Sequence, residues 1–180
     1  MRRLPPPEDQ EWLDAIFDLH STAVRAYAIR RVSPHAADDV VSETFATAWR
    51  RRRHVPEPAL PWLLRTARHV VLHERRSVAR RLNVRDAVAG SLTDTAAPSA
   101  EDASRVLAES VLAQLSETDA EILRLAAWEG LTPAEIAVVL DLGDSAARNR
   151  LMRARQRAQR LLAEPAPRLA LTPVTGAHHA

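Results

Sequence analysis

From residue 10 to 31 the apolar side chains Leu13, Ile16, Phe17, Val24 and Tyr27 recur on one stripe at helical spacing. Ser33-Pro34 then reads as a cap and first helical position, with Asp38 and Asp39 in the opening turn, where the helix dipole favours carboxylates. Val40, Val41, Phe45, Ala48 and Trp49 form the inward side of this second helix. A proline-punctuated loop from His54 to Pro61 ends it, and a long helix from Trp62 towards Arg81 follows, with Leu63, Ala67 and Val70 as core. Residues 86–104 are small, polar and acidic and predict a flexible linker. Beyond it, Val106, Leu107, Val111, Leu112 and Leu115 mark one helix, and Ser116 caps another that runs through Ile122, Leu123 and Leu125 to Gly130.

The pattern is sharpest at 131–163. Thr132-Pro133-Ala134-Glu135 is a capping box with proline at the first helical position, and Ile136, Val139 and Leu140 follow as the buried stripe. Asp141-Leu142-Gly143 interrupts the period, and Asp144 or Ser145 can cap the next helix. In that helix Ala147, Leu151, Ala154, Ala158 and Leu161 face inward, leaving Arg148, Asn149, Met152, Arg153 and Gln156 on the opposite side. The prediction is an all-α chain of two small helical domains, 10–85 and 105–163, the second ending in a helix-turn-helix. Residues 1–9 and 164–180 are expected to be disordered.

Charge adds what periodicity cannot. Residues 48–85 hold 11 arginines against 2 acids, residues 86–147 hold 2 against 12, and residues 148–160 hold 6 arginines and no acid. Two basic blocks flanking an acidic one suggest a polyanion gripped at two places. All 25 basic residues are arginine, so the sequence pI of about 10.2 overstates a net charge of only +2. Cysteine is absent, which rules out disulfides and thiolate chemistry. No apolar run is long enough to span a bilayer and no signal-peptide core follows Arg2 and Arg3, so a cytoplasmic protein without membrane insertion is expected.

Enzyme chemistry finds little support. His69 and His73 are four apart, the spacing of a helical zinc pair, but HVVLHE lacks the intervening glutamate of a zinc hydrolase and lies among arginines. With four glycines there is no phosphate-cradling loop, and no cofactor or metal is expected. Residues 115–162 alone would suit a helix-turn-helix transcriptional regulator, but such a protein has no need for the first basic block.

Three segments in order, ADDVVSETFATAW (37–49), PWLLRTARHVVLHERRSVARR (61–81) and LSETDAEILRLAAWEGLTPAEIAVVLDLGDSAARNRLMRARQRAQRLL (115–162), resemble an extracytoplasmic-function (ECF) sigma factor of the sigma-70 family. The resemblance implies a bacterial transcription initiation factor, not an enzyme, that binds core RNA polymerase and promoter DNA. An anti-sigma factor is a further partner in many relatives. It makes 37–49 the helix that docks on the β′ clamp helices, with Asp38, Asp39, Ser42, Glu43 and Thr44 exposed to polymerase, whose β subunit is also contacted. It makes 61–81 the −10 segment, where Arg65, Arg68, Arg75, Arg76, Arg80 and Arg81 suit strand phosphates. His69 stands where relatives hold an asparagine near a flipped base. Trp62 either stacks on an unpaired base or packs the helix start. Residues 143–160 become the −35 recognition helix. Ser145, Arg148, Asn149, Met152 and Arg153 are set toward the groove, where arginine can read guanine and asparagine adenine. Arg150, Arg155 and Arg157 flank them for phosphates.

Overall fold

The computed structural model describes residues 7–82 and 100–163, which are entirely helical apart from their turns. The N-terminal half comprises α1 (Pro7–Ile29), α2 (Pro34–Arg50), a 3₁₀ turn (Arg52–His54) and α3 (Leu60–Leu82). The C-terminal half comprises α4 (Ala100–Ala113), α5 (Glu117–Ala127), α6 (Pro133–Leu140) and α7 (Asp144–Ala163). Of the residues 1–9 expected to be disordered, 7–9 are helical, because α1 already begins at Pro7; residues 1–6 and 164–180, and most of the expected linker, lie outside the described residues. The last part of that linker is helical, because α4 already begins at Ala100.

Helices α1, α2 and α3 pack pairwise around Val24, Tyr27, Val40, Phe45, Ala48, Leu63, Leu64 and Ala67, all buried. Each large aliphatic buried in this way contributes about 1.5–3 kcal/mol. Leu64 and Val71 belong to this core although the periodicity singled out Leu63, Ala67 and Val70. They are buried because α3 is covered on two sides, by α1 and α2 and also by α6. Phe17, expected inside, is 43% exposed and meets Phe45 edge-on at 4.8 Å.

The caps act as their chemistry requires. Ser33 Oγ accepts from Ala36 N–H, and Ser116 Oγ accepts from Asp119 N–H. Gly130 takes φ +67°, letting Leu131 N–H reach Leu125 O at 3.1 Å and close the end of α5. Asp141 does the same for α6 at φ 57°, a left-handed conformation that glycine tolerates better, and Leu142 N–H reaches Ala137 O at 2.9 Å. Helix α7 starts at Asp144, with Gly143 O accepting from Ala147 N–H. Asp144 and Ser145 therefore sit in the first turn rather than capping it.

The two halves are not separate beads. Helix α3 packs along α6, and buried residues from both halves share one hydrophobic cluster.

Candidate nucleic-acid and polymerase surfaces

The helix-turn-helix is built from within. Thr132 N–H donates to Glu135 Oε2 at 2.8 Å, and Glu135 N–H donates back to Thr132 Oγ1 at 3.3 Å. With α6 fixed, Ala147, Leu151 and Ala154 of α7 are buried against it and α5. That stripe puts Ser145, Arg148, Asn149, Arg150, Met152 and Arg153 on the exposed side together. Among the described residues no carboxylate pairs with Arg148, Arg150, Arg153 or Arg155, and Arg153 Nε reaches only Asn149 O, at 3.4 Å. Two flanking arginines depart from the expected arrangement. Arg157 is ion-paired with Asp119 of α5, whose side chain is only 9% exposed, so it clamps α7 to α5 instead of waiting for a phosphate. Arg155 lines an apolar groove beside α4, with Leu107, Trp128 and Leu162.

Helix α3 presents its arginines differently. Arg65 is held by Asp141 at 2.9 Å and Arg75 by Glu117 at 3.6 Å, both acids from the C-terminal half. Arg68 faces the seam between the halves, whereas Arg76 and Arg80 are exposed. The Arg81 side chain lies outside the described residues. Trp62 is half-buried and packs against the core, with Thr66 Oγ1 donating to its carbonyl at 3.0 Å. Partial burial is what a residue at the helix start would show, and it leaves one edge accessible. His69 is exposed, and its pKa is lowered by desolvation and by Arg65 and Arg68, with Asp141 opposing them. Among the described residues no three His, Asp or Glu side chains converge as a metal site.

On α2, Asp38, Asp39, Ser42 and Glu43 are exposed as expected of a docking face. Asp38 meets Arg25 at 3.1 Å, and Ser42 Oγ donates to Asp38 O at 2.9 Å. Glu43 meets Arg50 at 2.6 Å, and that hydrogen bond holds its carboxyl below the usual range. Thr44 is the exception. It is fully buried, its hydroxyl donating to Val40 O at 2.7 Å, so no partner docked on α2 can touch it. It lies one residue around from Glu43, far enough on a helix to turn a surface position into a core one.

The profile described as sigma-70 region 2 matches residues 16–81, and that described as sigma-70, region 4 matches residues 105–157. The ECF RNA polymerase sigma factor SigL of Mycobacterium tuberculosis is 31% identical over 143 residues, covering 76% of this chain and 81% of SigL. The chain belongs to the ECF sigma factors. Among solved structures, CnrH in complex with the cytosolic domain of CnrY is 26% identical with a TM-score of 0.59, covering 87% of this chain and 91% of that one. The sigma factor RpoE of Bartonella quintana, solved with the anti-sigma factor NepR, shares the fold. Its TM-score is 0.63 at 23% identity, over 84% of this chain and 96% of that one. As a sigma factor the protein binds core RNA polymerase and directs promoter recognition. A regulator that does not bind polymerase is not favoured, because both sigma regions are present.

Between the two sigma regions lies an arrangement that sequence reasoning missed. Arg31, in the turn after α1, donates through Nε to both oxygens of Glu121, at 3.1 and 3.2 Å, and through Nη1 to Glu129 at 3.1 Å. Its guanidinium lies 3.6 Å from the centre of the Tyr27 ring, and Tyr27 OH donates to Glu121 Oε1 at 3.2 Å. Arg30 reaches the same Glu129 at 2.9 Å. The Arg31 side chain is only 5% exposed and that of Glu129 only 4%. Burial pushes the Tyr27 phenol up, and the neighbouring Glu121 charge pushes it further. For Arg31 burial works the other way, but the partners more than offset it and its pKa rises. No sequence signal marks these residues, and Arg30 and Arg31 lie outside both basic blocks.

Proposed function

We propose that region 2 extends over 10–85 and carries the −10 function, with Trp62, Arg65, Arg68, His69, Arg75, Arg76 and Arg80 along the opened strand. Region 4, over 105–163, carries the −35 function through Ser145, Arg148, Asn149, Arg150, Met152 and Arg153. Asp38, Asp39, Ser42 and Glu43 face the β′ clamp helices, and the site of action is the cytoplasm, where polymerase works. The observation that carries this reading is the exposed face of α7, a row of arginines with no carboxylate opposite them among the described residues. Like charges held together this way repel and are neutralised by a polyanion. A groove of about 380 Å³ lined by Leu107, Val111, Leu112, Trp128 and Leu162 suits the apolar face of an amphipathic helix. The β subunit or an anti-sigma factor would supply that helix.

Footprinting of a promoter by the chain bound to core polymerase tests the assignment. Replacing Arg148 and Arg153 together with alanine should erase protection at −35 and spare protection at −10. Replacing Asp39 and Glu43 with arginine should weaken the affinity for core polymerase without changing helicity by circular dichroism. Unaltered affinity would remove α2 from the polymerase interface.

A further inference from the structure

We infer that the cleft between regions 2 and 4 is a binding site for a small multivalent phosphate anion. Region 2 supplies Arg31, Arg68, Arg75 and Arg76 to this cleft, and region 4 supplies Arg124. Among the described residues Glu117 and Glu121 line it as acids, and Glu129 and Glu109 pair with Arg31 and Arg124 from beside it, so five arginines meet four carboxylates and a small excess of positive charge remains, carried by Arg68 and Arg76. Val71, Leu72 and Leu140 form apolar wall, and a concave, low-dielectric wall strengthens the field of charges set into it.

The arginines differ in how tightly they are held, and the difference is what a ligand site needs. Arg31 is fixed at the base by Tyr27, Glu121 and Glu129, and its Nη2, 3.1 Å from Glu121 Oε1, lies off the hydrogen-bonding direction and is buried without an acceptor. The others can be recruited cheaply. Arg75 and Glu117 are 3.6 Å apart and largely exposed, Arg124 and Glu109 are 3.8 Å apart, and loose pairs of this kind contribute little. Arg68 and Arg76 have no ion pair among the described residues. Guanidinium forks bind phosphate oxygens two at a time, which gives geometry as well as charge.

Size narrows the ligand. The cleft encloses about 230 Å³, below the roughly 300–1,000 Å³ typical of sites for drug-sized organic ligands. Several arginines converging on a space of this size match a short phosphate chain. Because both sigma regions line the cleft, such an anion favours the state in which they are packed together. If α3 holds the −10 strand as proposed above, the same arginines serve both, and the anion competes with that strand.

The test is a calorimetric titration of the full chain with inorganic pyrophosphate, at fixed ionic strength and without divalent cations. Saturable one-to-one binding is expected. Arg76→Ala and Arg124→Ala should each weaken it about tenfold, the scale of a lost charge-assisted contact. Arg76 is exposed and has no ion pair among the described residues, so its replacement leaves the fold intact, which circular dichroism checks. Arg53→Ala removes an equal charge on the 3₁₀ turn outside the cleft and should leave binding unchanged. An equal loss with Arg53→Ala, or no loss with Arg124→Ala, would overturn the site. A nucleoside triphosphate in the same titration separates two sources of the ligand. Affinity equal to that of pyrophosphate means that the phosphates alone are read, and greater affinity means that a nucleotide is the natural form. Binding by neither anion ends the proposal. The titration contains neither polymerase nor DNA, so its failure leaves the promoter assignment standing.

Discussion

Helices α3 and α7 are both rich in arginine, but their surroundings differ. On α7 the side chains of Arg148, Arg150 and Arg153 project from a helix whose other side is packed, and among the described residues no carboxylate faces them. On α3, Arg65 and Arg75 already hold Asp141 and Glu117, and Arg68 faces the seam. A DNA phosphate approaching α7 meets bare cations. One approaching Arg65 or Arg75 of α3 must replace an acid of region 4. The lesson is that a block of positive charge in a sequence states a demand for anions without saying whether the protein meets it itself.

The largest expected effect comes from breaking the seam that keeps α3 engaged. Glu121→Ala leaves Arg31 buried with one carboxylate fewer and Tyr27 without its acceptor. It should cost about 3 kcal/mol of stability in thermal unfolding, as removal of one member of a buried pair does. It should also raise the affinity of the free chain for a single-stranded −10 oligonucleotide. Lower stability with lower affinity would mean that the seam supports α3 without covering it.

The next concerns α7 by itself. If Arg148 reads guanine, Arg148→Ala should cost about 1–3 kcal/mol on the preferred −35 sequence and little on a sequence lacking that base. A binding array that ranks sequences identically for both proteins would show that Arg148 reads no base.

A smaller effect distinguishes Arg157 from its neighbours. Its partner Asp119 is buried, so Arg157→Ala should lower the unfolding temperature, by about 1–2 kcal/mol in stability, and leave the salt dependence of DNA binding nearly unchanged. A drop of about one unit in salt slope would instead assign it to a phosphate.

The smallest effect is at the turn. Asp141→Asn keeps a side chain that tolerates the left-handed backbone and removes the charge facing Arg65. The pair is largely exposed, so the cost should stay below about 1 kcal/mol. His69 provides the readout. Its pKa in the folded protein already lies below the ordinary imidazole value of 6.5, so the fold disfavours its protonation, and stability falls as pH drops through 6.5 and below. Losing the Asp141 charge should lower that pKa further, which an NMR titration of the imidazole would record.

Much of the molecule was legible before any coordinates. The capping box at Thr132, the caps at Ser33 and Ser116, and the inward stripe Ala147, Leu151, Ala154 depend on residues within a turn or two of one another, where local chemistry decides. The same local rules placed the exposed face of α7 and therefore most of the −35 candidates. Thr44, Arg157 and the burial of Leu64 were not legible. Each depends on which neighbour covers a helix, and periodicity cannot identify the neighbour.

The sequence by itself determined the helices, the caps at Ser33, Ser116 and Thr132, the order of the two sigma regions and the two basic blocks. Only the tertiary structure decided that region 4 packs its acids against the arginines of α3, and that Tyr27 and Arg31 reach Glu121 across 94 and 90 residues of chain. Ion pairs carry no spacing rule. They form wherever packing of apolar surface brings opposite charges together, so their partners are known only once α3 lies on α6 and α1 faces α5.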